Sequence, residues 1–247
     1  ERMEAKYGRD SDEFKIRIMG GFPSSEQMDS AGWIPLITDN QITMAPDNIK
    51  FIGRKVLGID PSGEGDDTTR WVMRDNFHAR VIATETTSSE KTIARKTYDI
   101  IKEFELDPTE VVIDNFGVGA NVKAEILLID HTMNVTAVNW GDDADDPDVY
   151  LNKRAQCCFE ARDWFIRGGA IFGDEMRRDI TAYQYQNSIS GKKKIIDKPR
   201  LKNRLGRSPD RGDAFFLTFY FGNDLTNRGF SNVVVNQTTT KDLYGAI

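Results

Sequence analysis

Four aspartates in this sequence stand at positions where carboxylates could act together. Asp60 and Asp114 each end a short run of aliphatic residues, a pattern typical of a buried strand. Asp210 and Asp213 lie three residues apart at the start of an apolar segment, so in a helix they would lie on roughly one face. If the first and fourth strands are parallel neighbours, their carboxyl ends place Asp60 beside Asp114. A last helix packed on that sheet would bring Asp213 to meet them.

Three converging carboxylates without an intervening cation repel one another strongly in a partly buried site. A divalent cation resolves that repulsion, and hard oxygen ligands favour Mg²⁺ or Mn²⁺. Two such ions about 3.5–4 Å apart can activate a water and stabilise the leaving oxygen in phosphodiester hydrolysis. Each aspartate alone is more simply a strand-end turn or a helix N-terminal charge, so the metal interpretation depends on the set.

The elements that must position these aspartates alternate along the chain. Periodicity predicts strands at 56–59, 69–74, 79–84, 111–114 and 135–138, and helices at 89–104, 119–130 and 151–167. A buried last helix, apolar nearly all round, follows Ser208 as cap and Pro209 as first helical residue. The order βββαβαβα plus a terminal helix predicts an α/β fold, a mixed sheet with helices on both faces.

Composition bounds the class of protein. The chain has 247 residues, a net charge of −6 and 39% hydrophobic residues, enough for a sizeable core and too many for a disordered chain. No apolar run approaches the ~18 residues of a membrane span, so we expect no membrane partner. We interpret residues 1–50 as a linker with little core of its own, 51–223 as the main domain and 224–247 as a tail. Because the chain opens at Glu1, we interpret it as part of a longer protein.

The charge is concentrated in one segment. Residues 192–211 carry nine basic and two acidic residues, a net +7, which leaves −13 for the rest of the chain. Such a segment can hold a polyanion locally, because screening confines its field to about 8–10 Å. A solvated loop or hairpin explains the same charge equally well.

Four segments, 58–69, 112–119, 152–155 and 208–214, resemble the nuclease half of phage large terminase subunits. Ser-Pro-Asp-Arg-Gly-Asp-Ala at 208–214 is the most specific of them. Residues 7–23 resemble the segment that joins the ATPase of that family to its nuclease, and the resemblance extends over residues 5–222. No Gly-x-x-x-x-Gly-Lys-Ser/Thr phosphate loop occurs in the sequence, so the family's ATP-driven motor must lie outside this chain.

The resemblance implies a ribonuclease H-like fold and a metal-dependent endonuclease that cuts concatemeric viral double-stranded DNA at the start and end of packaging. It implies two Mg²⁺ or Mn²⁺ ions on Asp60, Asp114 and Asp213, with Asp210 as an accessory ligand or base. It further implies a terminase ATPase domain in the same full-length chain, the small terminase subunit and the portal as partners, and the host cytoplasm as location.

With a nuclease in view, we interpret the basic segment as a β-hairpin and loop that lies beside the metal site and contacts DNA phosphates. Its predicted DNA-binding residues are Lys192, Lys193, Lys194, Lys198, Arg200, Lys202, Arg204 and Arg207. Asn152, Lys153 and Arg154 either cap the long helix or hold the scissile strand.

Two functions of other classes remain open. An actin-like nucleotide-binding domain also begins with three strands, an aspartate and a Gly-rich turn, which residues 60–69 would suit. It leaves Asp213 and the basic segment unexplained, and the chain has no duplicate half. A catalytically silent module that binds DNA or docks on the motor is the third interpretation.

Overall fold

A computed structural model describes residues 28–62, 68–86, 89–223 and 225 of the chain. The segment 7–23 that carries part of the family resemblance and nearly all of the predicted tail lie outside these residues. Within them, no helix is long and apolar enough to cross a bilayer.

A seven-stranded mixed sheet forms the centre of the fold. Its strands in spatial order are β2 (Thr43–Met44), β8 (Ala170–Ile171), β5 (His78–Glu85), β4 (Thr69–Arg74), β3 (Val56–Asp60), β6 (Val111–Asp114) and β7 (Thr136–Val138). β4 runs antiparallel to both neighbours, and the other pairs are parallel. A second, antiparallel sheet has three strands, β1 (Ile34–Pro35), β9 (Gln184–Asn187) and β10 (Lys193–Ile195).

Helices cover both faces of the central sheet. On one face α1 (Glu90–Glu103) and α2 (Gly119–Ile129) enclose one hydrophobic cluster. On the other face α3 (Lys153–Ile166), α4 (Asp174–Thr181), α5 (Lys198–Leu205) and α6 (Asp210–Leu217) contribute to a second, larger cluster. Short 3₁₀ turns occupy Asp39–Gln41 and Pro108–Glu110. The predicted α/β fold with a mixed sheet and helices on both faces is confirmed.

The alternation of side chains along β3 determines how α6 can approach it. Leu57 and Ile59 face α1 and α2 in the smaller cluster, which leaves Gly58 and Asp60 on the α6 side. A Cβ atom added at Gly58 would lie 2.1 Å from the carbonyl oxygen of Ala214. The helix backbone therefore rests directly on the strand, and only glycine permits that approach.

A buried arginine on β4 holds the far end of α6. The Arg74 guanidinium donates to the carbonyl oxygens of Thr218 (2.8 Å) and Gly222 (3.0 Å), and its carbon lies 4.0 Å from the Phe219 ring centroid. Burial lowers the pKa of Arg74 to about 9, so the side chain stays charged at neutral pH. α6 thus packs on the sheet at Ala214 and is held by Arg74 through the residues that follow its C-terminal end.

Two sequence interpretations differ from the structure in the N-terminal and basic segments. Residues 28–50 are not without core: Trp33, Leu36 and Ile37 are buried in the larger cluster. The basic segment does not form a hairpin by itself: it supplies only β10, which pairs with β9 ahead of the segment, and it continues as helix α5 rather than as a loop. Asp197 caps that helix by accepting from the Arg200 amide at 3.0 Å.

The interpretation of Ser208 as a helix cap is wrong. α6 begins at Asp210 with Pro209 at the N-cap, and the buried Ser208 hydroxyl has no hydrogen-bond partner among the described residues. Helix α4 was also unrecognised as an element, because its eight residues contribute only Met176 and Ile180 as apolar side chains in the core.

We expect Gly58→Ala to destabilise the domain by at least the roughly 1–3 kcal/mol typical of overpacking, because the clashing atom belongs to backbone. Its melting temperature should fall by about 2–4 °C for each kcal/mol of destabilisation. Thermal unfolding measures this. The matched control is Gly141→Ala, where no atom lies within 4 Å of the added carbon. Equal melting temperatures for the two variants would contradict the close contact with Ala214.

Candidate active site

The two strand-end aspartates are neighbours across a parallel strand pair. Ile59 of β3 pairs with Ile113 of β6, so Asp60 and Asp114 are the next residues along the two strands. Both carboxylates lie on the α6 side of the sheet, and they are only 5% and 8% exposed. The predicted side-by-side placement of these two residues is confirmed.

The first turn of α6 adds the other two carboxylates. Asp213, 2% exposed, directly precedes the residue whose carbonyl oxygen touches Gly58, and its charge acts on Asp60 and Asp114. Asp210 lies one turn earlier, and its Oδ2 accepts from the amide and hydroxyl of Thr68 at 3.1 and 3.2 Å. Asp210 is thus bonded to the start of β4, whereas Asp213 points into the cluster.

Cations and a phenol surround Asp213. Lys198 Nζ lies 3.1 Å from Oδ2, Arg154 Nη2 lies 3.4 Å from Oδ1, and the Tyr183 hydroxyl donates to Oδ1 at 2.6 Å. Burial alone would raise the pKa of Asp213, but Lys198, Arg154 and the Tyr183 hydrogen bond hold it below its usual value. Asp213 is therefore the carboxylate most firmly kept in its charged form.

The strand-end carboxyls have the opposite electrostatics. Burial raises the pKa of Asp60 well above its usual value, and repulsion from Asp213, Asp114 and Asp210 adds to the effect against the opposing Lys198. Burial also raises the pKa of Asp114 to about 6, although the Phe116 amide bonds its carboxylate. Burial and mutual repulsion thus disfavour the ionised forms of both strand-end carboxyls.

A cleft of about 290 Å³ opens beside the carboxylates. Its lining residues are Asp114, Phe116, Asn139, Trp140, Gly141, Arg154, Lys198 and Asp213. The loops after β6 and β7 and the starts of α3, α5 and α6 meet there, at the carboxyl edge of the parallel strands. This is where mixed sheets bind ligands.

The carboxylate oxygens of the site are suitable ligands for a hard divalent cation, but their side chains are not arranged around a common metal position. Carboxylate oxygens are hard anionic ligands of the kind that Mg²⁺ and Mn²⁺ prefer. Across residues 28–62, 68–86 and 89–223, however, no group of three or more His, Cys, Asp or Glu side chains is arranged to hold a metal ion. The Lys198 ammonium already pairs with the Asp213 carboxylate. A cation and Lys198 would compete for the same oxygen.

The predicted DNA-binding residues are dispersed rather than collected on one surface. Lys193 is buried with Nζ 4.2 Å from the Phe159 ring centroid, Lys198 lies among the carboxylates, and Arg207 pairs with Asp179. Exposed side chains on α5 include Arg200 and Arg204, while Lys192, Lys194 and Lys202 are half-buried. The charge pattern alone could not separate these environments.

Two residues outside the carboxylate cluster stabilise the starts of the helices that carry site residues. Asn152 caps α3, because its side chain accepts from the Ala155 amide at 3.0 Å, and that cap aims Arg154 at Asp213. Asp179 on α4, which sequence reasoning missed, is fully buried and accepts from the Arg211 amide at 3.1 Å. It supplies from another helix the acceptor that α6 lacks at its own N-cap.

Solved structures with a similar fold include nuclease domains. The nuclease domain of the large terminase subunit gp2 of bacterial virus Sf6 superposes with a TM-score of 0.63 at 20% identity, covering 75% of this chain and 98% of that one. A mutant of that domain with calcium gives 0.64 at 19% identity over the same shares, and one with manganese gives 0.62 at 19%. The fold is that of a terminase nuclease domain. Comparison with protein-family models and with curated proteins finds no match to this sequence.

The electrostatics of this terminase nuclease fold give a stability test. A carboxyl whose pKa is raised in the folded state is destabilising once it ionises, so metal-free stability should fall from about pH 4 to pH 6 as Asp114 ionises. Asp114→Asn keeps the Oδ1 acceptor and cannot ionise. We expect it to raise the melting temperature in EDTA at pH 7.5 by about 2–4 °C, or about 1 kcal/mol, and to lose any further rise on adding Mn²⁺.

Thermal unfolding with EDTA and with Mn²⁺, over pH 4–8, measures both effects. Asp148→Asn, at an exposed position, is the matched control. A melting temperature for Asp114→Asn at or below that of the wild type at pH 7.5 would contradict the electrostatic description of the site.

Proposed function

We propose that this chain is a metal-dependent DNA endonuclease that cuts concatemeric viral double-stranded DNA when genome packaging starts and ends. The observation that carries the proposal is the convergence of Asp60, Asp114 and Asp213 at one edge of the sheet. The shared fold with a terminase nuclease domain supports it, and two of the similar structures were solved with calcium or manganese.

In this proposal Asp60, Asp114 and Asp213 hold two Mg²⁺ or Mn²⁺ ions, which would activate a water and stabilise the leaving oxygen. Tyr183 fixes the orientation of the Asp213 carboxylate through its short hydrogen bond. Asp210 is an accessory ligand or base, held in place by Thr68. Asp60 and Asp114 would repel a DNA phosphate, and bound metal ions would offset that repulsion.

Lys198 and Arg154, which pair with Asp213, would be released to bind substrate once a metal ion binds the Asp213 carboxylate. Both line the cleft, and Lys198 is about half exposed, so it can turn toward a DNA phosphate. Arg154 is anchored by donating to the Ile196 carbonyl oxygen at 3.0 Å, which keeps its guanidinium at the base of the cleft. These cations would place the scissile phosphate next to the carboxylates.

The remaining partners follow from the same proposal. A terminase ATPase domain in the full-length chain would drive packaging, and the small terminase subunit and the portal would position the nuclease on DNA in the host cytoplasm. An actin-like ATPase and a silent DNA-binding or docking module are the rival functions. ATP turnover without DNA nicking would favour the first rival, and DNA binding without either activity would favour the second.

We expect Asp60→Asn, Asp114→Asn and Asp213→Asn each to abolish cleavage, because each removes an anionic ligand at little change in volume. Asp210→Asn should keep measurable activity, since its amide can still accept from Thr68. Nicking of supercoiled plasmid over a Mn²⁺ titration measures all four, with circular dichroism to show that they fold. Wild-type rates for Asp60→Asn, or a dead Asp210→Asn beside an active Asp213→Asn, would contradict the assignment.

We expect the cations of α5 to contact DNA phosphates without reading sequence. Replacing Arg200, Lys202 and Arg204 together by alanine should weaken binding at all sequences and reduce the salt slope by about 0.9 for each phosphate that is no longer neutralised. Binding measured between about 50 and 200 mM salt tests this.

The matched control for the α5 variant removes three cations from the opposite face of the sheet. It carries alanine at Lys91, Arg95 and Lys102 of α1, which are exposed. Equal salt slopes for the two triple variants would show that the α5 cations are solvated surface charges that do not contact DNA.

A further inference from the structure

The phenyl ring of Phe116 is 85% exposed although it follows Asp114 by only two residues. Aromatic rings normally contribute to stability by being buried, so the fold gains nothing from presenting this one to solvent. Phe116 also lines the cleft that holds Asp114 and Asp213. An exposed apolar ring at the rim of a polar cleft is suited to contact a ligand.

The backbone beneath this ring is fixed. The Phe116 amide donates to Asp114 Oδ1 at 3.1 Å, and its carbonyl oxygen accepts from the Gly119 amide at 3.2 Å. The Asn115 amide donates to the Val138 carbonyl oxygen at 2.7 Å, which ties the loop to β7. Gly117 has φ +62°, a conformation that suits glycine at this turn. The ring therefore extends from an anchored turn directly bonded to a carboxylate of the site.

The cleft combines three chemistries on a small scale. Phe116 and Trp140 supply aromatic rings, and Lys198 and Arg154 supply positive charge. Asp114 and Asp213 supply the carboxylates that would bind the metal. Its volume of about 290 Å³ is near the lower limit for small-ligand pockets. Duplex DNA, whose major groove alone is about 12 Å wide, is too large to enter a cleft of this volume. A flat apolar base joined to an anionic phosphate matches all three chemistries.

We propose that this cleft is a subsite for one nucleotide of the cleaved strand, held out of the base stack with its base against Phe116. The inference rests on the proposed function, and it adds that the DNA is locally unstacked where the strand is cut. Ring faces carry no hydrogen-bond code, so the subsite accepts any base. Removing a nucleotide from the stack is easiest at a mismatched or unpaired position. Locally unpaired DNA is therefore the preferred substrate.

Binding of a short duplex with 2-aminopurine at one mismatched position tests the proposal. Ca²⁺ replaces Mn²⁺ so that the strand stays intact during the measurement. We expect the wild type to bind the mismatched duplex more tightly than the matched one and to change 2-aminopurine fluorescence. Phe116→Ala should weaken binding of the mismatched duplex by roughly 5- to 150-fold, the factor that base–aromatic stacking supplies. Phe116→Tyr should retain it, because the ring remains.

Leu128→Ala is the matched control, since Leu128 is an 80% exposed apolar residue on α2 outside the cleft lining. Unchanged melting temperatures for Phe116→Ala would show that its effect is not structural. If Phe116→Ala binds the mismatched duplex as tightly as Leu128→Ala, or changes its fluorescence equally, the subsite is refuted.

Plasmid cleavage with Mn²⁺, measured in parallel, separates this inference from the proposed function. Cleavage that does not depend on Phe116, together with unchanged binding, refutes the subsite alone. Binding that depends on Phe116 without any cleavage supports the subsite and refutes the nuclease. A wild type that binds neither duplex refutes both.

Discussion

The contact between the α6 backbone and β3 at Gly58 sets the geometry of the whole site. A Cβ atom there would lie 2.1 Å from the Ala214 carbonyl oxygen, so no other residue allows the helix to sit so close. Asp60 follows Gly58 on the same face of the strand, and Asp213 precedes Ala214 on the helix. One close approach thus places a helix carboxylate against a strand carboxylate, and the parallel register adds Asp114.

That proximity creates an electrostatic conflict which the protein resolves unevenly. Lys198 and Arg154 stabilise the charge on Asp213, whereas burial and repulsion raise the pKa values of Asp60 and Asp114. Ionisation of Asp213 is therefore favourable in this fold, whereas ionisation of Asp60 and Asp114 lowers its stability. Functional sites commonly retain such strain because the ligand relieves it. The cations that stabilise the charged form of Asp213 also line the cleft.

Much of this arrangement follows from local sequence pattern. Aliphatic runs that end in aspartate predict β3 and β6, and the apolar sequence after Asp213 predicts a buried helix, because these signals are short-range. Contacts between distant elements were not predictable: Asp179 completes the start of α6 from another helix, and Lys193 is buried against Phe159. Charge patterning describes a segment and says nothing about which side chain turns inward. The burial of Trp33, Leu36 and Ile37 was not predictable either, because the adjoining strand β1 is two residues long and pairs with the distant β9.

Anomalous X-ray diffraction from a crystal soaked in Mn²⁺ tests the central claim most directly. The account predicts anomalous density bounded by the carboxylates of Asp60, Asp114 and Asp213. It also predicts that the separation of Lys198 Nζ from Asp213 Oδ2 increases beyond 3.1 Å, because the cation competes for that oxygen. Density elsewhere in the crystal, with Asp213 still paired to Lys198 and no Mn²⁺ between the strand ends and α6, would contradict it.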